Sequence, residues 1–299
     1  NHYKVIDFTE FIFLFLGGVA SLLTILQALF NLDYYWFFLF ALIFGAGVGI
    51  TKIAKVSMLN RDRMRVYSRN LHSFMHRLRD EHTYLDRFYK HKLGTVEELE
   101  SRFLDQCKFL INIIADSLTK MSGYTVCVCI KSFRVAEAIE PTSRQEIESL
   151  AISTLCRSKN TNEERFEKGS YILKDNTAFR IITLDERNHF YCNDLEGLNA
   201  DLEKRGQALY QNTNPGWRKW YNATIVVPIR IEKRYLPTHD HDDDSQGYCL
   251  LGFLCADSED SGAFPDLDIV HYTHALKAFS DILFKYFFKY QEIIKLLEA

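Results

Sequence analysis

Two long apolar segments stand near the N-terminus, ahead of any alternation of polar and apolar residues. Residues 11–30 (twenty residues) and 34–50 (seventeen) contain no charged side chain, and the polar turn Asn31-Leu32-Asp33 separates them. A helix rises about 1.5 Å per residue and the hydrocarbon core of a bilayer is about 30 Å thick. The first segment spans that core, and the second spans it with its flanks or with local thinning. Residues 1–51 are therefore predicted to form a transmembrane helical hairpin.

The two predicted spans also contain small and polar residues. Ala41, Gly45 and Gly49 recur every four residues, a spacing that lets transmembrane helices approach closely. Packing of the two spans on each other explains this stripe, and so does an oligomer. Polar groups without partners are costly inside a bilayer, so a polar stripe in the first span indicates a water-filled path between subunits. The predicted pore-lining residues are Thr24, Gln27 and Asn31.

From residue 52 the pattern becomes helical, with apolar residues at alternating spacings of three and four. The pattern is a heptad seam, which predicts a coiled-coil-like stalk over residues 52–94 and parallel self-association as a homodimer or homotetramer. The seam residues are Met64, Tyr67, Leu71, Phe74, Leu78, Leu85 and Phe88, and Glu81 occupies one seam position.

Charge is distributed unevenly along the chain and predicts its orientation. Residues 52–92 carry a net charge of +7, whereas residues 93–299 carry −8. Basic residues next to a transmembrane helix remain on the cytoplasmic side and contact anionic lipid heads. We therefore expect a multi-pass protein of a bacterial inner membrane with both termini in the cytoplasm. The seven cysteines show no metal-binding spacing and are interpreted as buried, reduced thiols.

Residues 95–299 alternate between helical and strand-like patterns and are predicted to form an α+β domain. A long helix at 96–121 precedes strand-like runs, and a second long helix runs from 265 to the end. This order favours an antiparallel sheet flanked by terminal helices that lie together and carry a dimer seam. The predicted strands are 124–132, 149–157, 188–192, 223–231 and 248–256, with helices at 176–185 and 195–211.

The last third of the chain resembles a GAF domain. The run NATIVVPIRI (222–231) is followed by CLLGFLCAD (249–257), then by Gly262-Ala263-Phe264, Asp268 and a terminal helix. In that family a strand with Val-Pro pairs with a strand of the pattern G-x-L-x-x-D before the last helix. The resemblance implies a GAF-like small-molecule sensor that dimerises through its terminal helices. The Asn-Lys-x-Phe-Asp-Glu motif of cyclic-nucleotide-binding members is not found.

The resemblance also implies a pocket between the sheet and the helices inserted before residue 222. Aromatic side chains there could stack on a base and arginine could pair with a phosphate; packing in the core or at a dimer contact is the alternative for the aromatic residues. The candidate ligand-binding residues are Arg180, Asn193, Asp194, Trp217, Arg218, Trp220 and Tyr221. The acidic and histidine-containing run at 239–244 is interpreted as a solvated loop without a metal, and no catalytic motif is found, so we expect no enzymatic activity.

Two functions follow from this organisation. The first is a ligand-regulated membrane effector, a homo-oligomer whose GAF-like domain senses a nucleotide or oligonucleotide and controls an ion-conducting or membrane-disrupting state. This arrangement is similar to that of membrane effectors in bacterial antiphage nucleotide signalling, including the Hailong-type effectors. Because the sequence ends with the last helix of the sensor, we expect the hairpin to be its output. The second is a membrane-anchored adaptor that signals to a separate kinase or cyclase, which the short second span favours.

Overall fold

The computed structural model describes residues 17–18, 21, 25, 34–91, 93–133, 148–161, 170–185, 187–214, 216–232, 248–266 and 268–298. The chain divides into two compact units, Asn1–Arg65 and Val66–Ala299. Helix α1 covers Tyr34–His91 and therefore contains residues of both units.

The predicted membrane hairpin falls mostly outside the described residues. Thr24, Gln27 and Asn31 lie outside them, as does nearly all of the first predicted span. Across the residues that the structure describes, we find no helix with the length and apolar character needed to cross a bilayer. The hairpin over residues 1–51 stays a prediction.

The C-terminal unit is built on one antiparallel sheet of six strands in the order β3-β2-β1-β6-β5-β4. The strands are β1 Cys127–Ser132, β2 Ala151–Arg157, β3 Ser170–Ile172, β4 Phe190–Cys192, β5 Ala223–Glu232 and β6 Tyr248–Ser258. The predicted α+β class, antiparallel sheet and five of the strands are confirmed. The short edge strand β3 was not predicted.

The pairing of β5 with β6 agrees with the expectation from residues 222–257. The two strands pair from Ala223–Ser258 to Glu232–Tyr248. Pro228 lies inside β5, beyond the three residues that pair with β4. Because β4 does not pair with this position, the N–H that proline lacks is not needed for a hydrogen bond to β4. Gly252 contacts the backbone of β1 so closely that a Cβ atom would clash with the Lys131 carbonyl oxygen, so the residue is a site of close backbone approach.

Two helices, α2 (Val96–Ser122) and the last helix α5 (Ile269–Glu298), cover one side of the sheet, and α1 from residue 66 onward packs on these two helices. We call this side of the sheet, together with its three helices, the packed face. Helix α2 begins with a capping box between Thr95 and Glu98 and ends at Gly123, whose φ of 82° is left-handed. The predicted alternation in β1 is confirmed, because Val126, Val128 and Ile130 are fully buried on this face.

Part of the heptad seam of α1 is buried inside the chain, and self-association through the rest of the seam stays a prediction. Phe74, Leu78, Leu85 and Phe88 are all buried in the same core as α2 and α5. The Phe74 ring lies 4.8 Å from that of Phe279 in α5. The same 3–4 spacing serves any helix with one apolar face, so the pattern alone does not distinguish an intramolecular core from a coiled coil.

Glu81, the charged residue in the seam, has partners inside this core. Its side chain is 2% exposed and accepts two hydrogen bonds from Arg102 in α2, both 3.1 Å long. Arg77 lies 3.6 Å from the same carboxylate, and the Arg102 guanidinium stacks 3.5 Å from the Tyr84 ring. The bidentate ion pair satisfies the carboxylate where an isolated charge would be very costly.

The other side of the sheet, the cavity face, is covered by shorter elements. They are α3 (Thr177–Leu184), α4 (Leu195–Lys204), the 3₁₀ turn Trp217–Lys219 and the chain around them. The predicted helix over 195–211 is wrong in its second half, because α4 ends at Lys204 and Gly206 takes a φ of 64°. We call residues 205–214 and 216–222, between α4 and β5, the roof connection.

Candidate functional site

A small polar cavity lies between the cavity face and the roof connection. Its volume is about 50 Å³, room for roughly three or four water molecules. Half-buried Asn212, Asn214 and Trp220 are part of its lining, so the cavity borders the protein surface on that side. The lining residues are Cys129, Lys131, Arg157, Asn176, Ala178, Phe179, Tyr210, Asn212, Asn214, Trp217, Trp220, Tyr221, Thr224, Val226, Cys255 and Asp257.

The floor of the cavity is one row of residues across four strands. Arg157 of β2 pairs with Cys129 of β1, which pairs with Cys255 of β6. Cys255 in turn pairs with Val226 of β5. Residues directly opposite one another in antiparallel strands have Cβ atoms about 4.5–5.5 Å apart, so a guanidinium group and two thiols lie side by side.

An irregularity in β2 places Arg157 on this face. Lys131 pairs with Thr154, whereas the preceding Ile130 pairs with Cys156, so Leu155 is an extra residue in the ladder. A bulge of this kind reverses the alternation of side chains beyond it. Thr154 and Arg157 consequently lie on the same face although they are three positions apart, and Arg157 Nη2 donates to Thr154 Oγ1 at 3.4 Å.

Two cations and one carboxylate line the cavity. Lys131 is 8% exposed and donates a hydrogen bond to Thr154, and burial lowers the pKa of its ammonium group. Arg157 Nε is buried and has no acceptor in the described part of the chain. Asp257 is buried and accepts a hydrogen bond of 2.8 Å from Thr224 Oγ1. Two of these three charged side chains are cations, and a buried guanidinium N–H has its donor capacity unused.

The two thiols of the floor differ in acidity. The hydrogen bond from Cys255 lowers the pKa of Cys129 to about 6, and the positive charges of Arg157 and Lys131 act in the same direction against the effect of burial. The pKa of Cys255 is raised, first by that hydrogen bond and then by burial. Of the two thiols, Cys129 is therefore the more acidic, and the neighbouring cations favour its thiolate form.

Polar side chains hold the roof connection in place. Asn176 at the start of α3 donates to Thr213 Oγ1 at 2.6 Å, and Asn212 donates to the Tyr221 hydroxyl at 2.7 Å. The Tyr210 N–H donates to Asn199 of α4 at 2.8 Å. Tyr210, Trp217 and Tyr221 also pack in the apolar core of this face, and the ring centroids of Tyr210 and Trp217 are 5.1 Å apart. Hydrogen bonds and aromatic packing therefore hold the roof together.

Three of the seven residues predicted from the sequence line this cavity. Trp217, Trp220 and Tyr221 belong to its roof. Trp217 and Tyr221 also pack in the core of this face, as the alternative interpretation of the aromatic residues held. A ligand role for them stays a prediction.

The other four predicted residues lie outside the cavity lining. Asp194 is the N-cap of α4 and accepts from the Gly197 N–H at 2.9 Å, and Asn193 accepts from the Phe264 N–H at 2.9 Å. Arg180 and Arg218 are exposed, and Arg218 lies over the outer side of Trp217. Side-chain oxygens at turns and helix caps accept hydrogen bonds from backbone N–H groups. The sequence of a loop does not show which of its polar residues have this structural role.

The charged residues of the cavity lining, Lys131, Arg157 and Asp257, were not predicted from the sequence. Lys131 and Asp257 sit at alternate positions of strands whose other face is apolar, so the period-2 pattern carried a signal for both. Arg157 carried no such signal, because the bulge at Leu155 breaks the period. Within the described ranges no group of histidine, cysteine and acidic residues is arranged to hold a metal ion, and the acidic run at 239–244 lies outside them.

No protein-family model and no curated protein matches the chain. Among solved structures, it is similar to the GAF domain of a phosphoenolpyruvate-protein phosphotransferase from Acinetobacter, with 12% identity, a TM-score of 0.31 and coverage of 69% of this chain and 97% of the other. The corresponding GAF domain from Coxiella burnetii shows 12% identity, a TM-score of 0.34 and coverage of 63% and 95%. The chromophore-binding domain of a bacteriophytochrome from R. palustris shows 9% identity, a TM-score of 0.37 and coverage of 77% and 64%.

Two of these structures are GAF domains, the family that residues 222–268 resemble. Because the TM-scores of these structures are below 0.5, the functional interpretation of the cavity rests on the geometry of this chain alone.

Proposed function

We propose that the C-terminal unit is a sensor that binds the anionic group of a small ligand in the cavity of the sheet. The observation that carries the proposal is the pair Lys131 and Arg157, two cations in the lining of one cavity. A protein retains buried cations only where a partner or a function compensates their desolvation. The unused donor on Arg157 Nε is the group that an oxyanion would satisfy.

The size of the cavity limits what enters it. About 50 Å³ accommodates a phosphate or carboxylate group, whereas pockets for whole small molecules measure about 300–1,000 Å³. A nucleotide, the ligand class expected from the sequence, would place a phosphate on Lys131 and Arg157 and its base against Trp217 and Trp220. The hydrogen-bonded roof connection would have to move to admit it.

Intrinsic fluorescence tests the proposal, because two of the three tryptophans line the cavity. The full chain is titrated with inorganic phosphate, cyclic AMP, cyclic GMP and cyclic dinucleotides, and whatever co-purifies with it is identified by native mass spectrometry. Saturable quenching that Lys131→Met weakens by about tenfold or more supports the site, since a charged hydrogen bond contributes about 1.5–3 kcal/mol.

Arg218→Leu is the matched control, because Arg218 lies on the roof connection beside Trp217 but outside the cavity lining. It is expected to bind as the unchanged protein does. Equal affinities for the two variants, or no saturable response to any probe, would argue against the proposal.

The output of the sensor is proposed from the sequence pattern of residues 1–51. Helix α1 packs on α2 and α5 and leads N-terminally into the predicted spans, so we propose that it carries the signal from the sensor. We propose a homo-oligomer whose ion-conducting or membrane-disrupting state the ligand controls, an arrangement similar to that of antiphage membrane effectors. Conductance across planar bilayers containing the purified protein tests it, and a sealed membrane in every ligand state would leave the adaptor, which signals to a separate kinase or cyclase.

A further inference from the structure

Two cysteines of the chain lie directly opposite each other on neighbouring strands. Cys129 of β1 and Cys255 of β6 are directly opposite in the ladder. In the strand pairings of the described residues, the other strand cysteines face Asp257, Ile130, Thr224 and Ile231. Opposite residues of antiparallel strands have Cα atoms about 4.5–5.5 Å apart, within the range of about 4.4–6.8 Å that a disulfide requires.

Both thiols line the same cavity, and their surroundings suit oxidation. Cys129 and Cys255 are 4% and 5% exposed, so solvent reaches them through the cavity or not at all. Arg157 flanks Cys129 on β2, and Lys131 is two residues along on the same face of β1. Cations next to a cysteine stabilise its thiolate, which is the form that reacts with oxidants.

The size of the cavity selects the oxidant. A volume of about 50 Å³ holds a few water-sized molecules, and hydrogen peroxide has only two heavy atoms. Larger oxidants such as glutathione disulfide do not fit beneath the roof connection. This restriction separates a peroxide-reactive site from general thiol exchange.

We propose that Cys129 and Cys255 form a redox-active dithiol that hydrogen peroxide converts into an intramolecular disulfide. The Cys129 thiolate attacks one peroxide oxygen, so that the S–O bond forms and the O–O bond breaks. The released hydroxide takes a proton from the Lys131 ammonium group, which solvent then protonates again. Sulfur loses two electrons and one oxygen of the peroxide leaves as water. The Cys255 thiol then attacks the Cys129 sulfenic acid, the S–S bond replaces the S–O bond, and a second water carries away the thiol proton.

A dithiol reductant returns the pair to its starting state by two successive exchanges. Oxidation removes the negative charge of Cys129 from its place between Arg157 and Cys255 and joins β1 to β6 covalently. The change therefore occurs in the lining of the cavity, and it does not depend on whether that cavity also binds a ligand.

Peptide mapping tests the proposal on the full chain. The protein is reduced, desalted and exposed to hydrogen peroxide, and remaining thiols are blocked before digestion and mass spectrometry. The expected product is a Cys129–Cys255 disulfide within one chain that dithiothreitol reverses. In the Cys255→Ser variant, dimedone is expected to label Cys129 roughly tenfold or more faster than any other cysteine, because the second thiol is missing while the thiolate remains.

Cys127→Ser is the matched control, since Cys127 lies two residues from Cys129 on the same strand and pairs with Asp257. It is expected to form the disulfide at the rate of the unchanged protein, whereas Cys129→Ser forms neither disulfide nor adduct. Oxidation of the unchanged protein at other cysteines with Cys129 and Cys255 still reduced would overturn the proposal, and that measurement needs no variant to fold. Because no ligand is added, this outcome is separate from the phosphate and nucleotide titrations.

Discussion

The two faces of the six-stranded sheet differ in what they bury. The packed face buries aliphatic and aromatic side chains beneath α1, α2 and α5, including Ile130, Ile225 and Phe279 at 0% exposure. The cavity face buries Lys131, Asp257 and two thiols beside a void of about 50 Å³. Strands β1 and β6 supply residues to both sets, because successive side chains point to opposite faces.

This difference shows how one sheet combines stability with a functional site. Apolar burial contributes roughly 25 cal/mol per Å², so the packed face supplies the stabilisation that compensates for the desolvated charges and the void on the other side. Cavity-face residues can then be selected for chemistry with less effect on the fold. Substitutions on the two faces should therefore have effects of different size and kind.

The largest effect is expected for Phe279→Ala on the packed face. Phe279 is fully buried and contacts the rings of Phe74 and Tyr67. Removing a buried phenylalanine side chain lowers the free energy of unfolding by about 3–5 kcal/mol. Urea denaturation followed by circular dichroism measures the loss.

Phe179→Ala provides the comparison from the cavity face. Phe179 stacks on Phe253 with centroids 4.6 Å apart but borders the cavity, where its neighbours are already incompletely packed. We expect a loss smaller by about 1 kcal/mol or more, since the cost of truncation depends on the packing around the site. Equal losses would mean that the two faces contribute alike and would remove the basis of the comparison.

A smaller effect is expected for Glu81→Gln, the one charged seam residue of the packed face. The amide can no longer accept two charge-assisted hydrogen bonds from Arg102, and it leaves the guanidinium without its counter-ion. Because Arg102 is 39% exposed, water compensates part of the change. We expect a loss of about 1–3 kcal/mol by urea denaturation.

Asp80→Asn is the matched control, since the neighbouring carboxylate is 60% exposed and pairs with Arg79. A solvated pair of this kind contributes about 0–1 kcal/mol. If the Glu81 and Asp80 substitutions change stability equally, then the buried ion pair is not a distinctive feature of the packed face.

The packed face could be predicted from the sequence, and the cavity face could be predicted only in part. Regular alternation in β1 and the 3–4 spacing in α2 and α5 indicate apolar burial directly. The pairing of β5 with β6 followed from the resemblance. The heptad seam of α1 showed which residues are buried but not what covers them, because an intramolecular helix and a second chain satisfy the same pattern.

The cavity depends on features with weak local signals. Arg157 reaches it through the bulge at Leu155, and a single extra residue in a ladder is invisible without the partner strand. The roof connection is held by Asn176, Asn212 and Tyr221, whose partners lie far away in the sequence or depend on turn geometry. Asn193 and Asp194 were predicted to contact a ligand. Their side chains instead accept hydrogen bonds from the backbone N–H groups of Phe264 and Gly197.

The smallest effect on stability is expected for Lys131→Met, with a sign opposite to that of the three preceding substitutions. Burial lowers the pKa of Lys131, so the folded protein holds this proton less tightly than the unfolded chain does. The charged group therefore reduces stability by its full amount below the folded pKa, and this penalty fades as the pH rises toward the unfolded value of about 10.4. Near pH 7 the variant should therefore be more stable than the unchanged protein.

Urea denaturation at pH 7 and at pH 10 checks both the sign and its pH dependence. The advantage of Lys131→Met should shrink at the higher pH, because the ammonium group is then increasingly neutral in both states. Lys204→Met is the control, since Lys204 is 77% exposed and its removal should change stability by less than about 0.5 kcal/mol at either pH. A variant that is less stable at pH 7 would mean that Lys131 supports the fold, and the cavity face would then lose its distinction as the side of the sheet where charge is kept for binding.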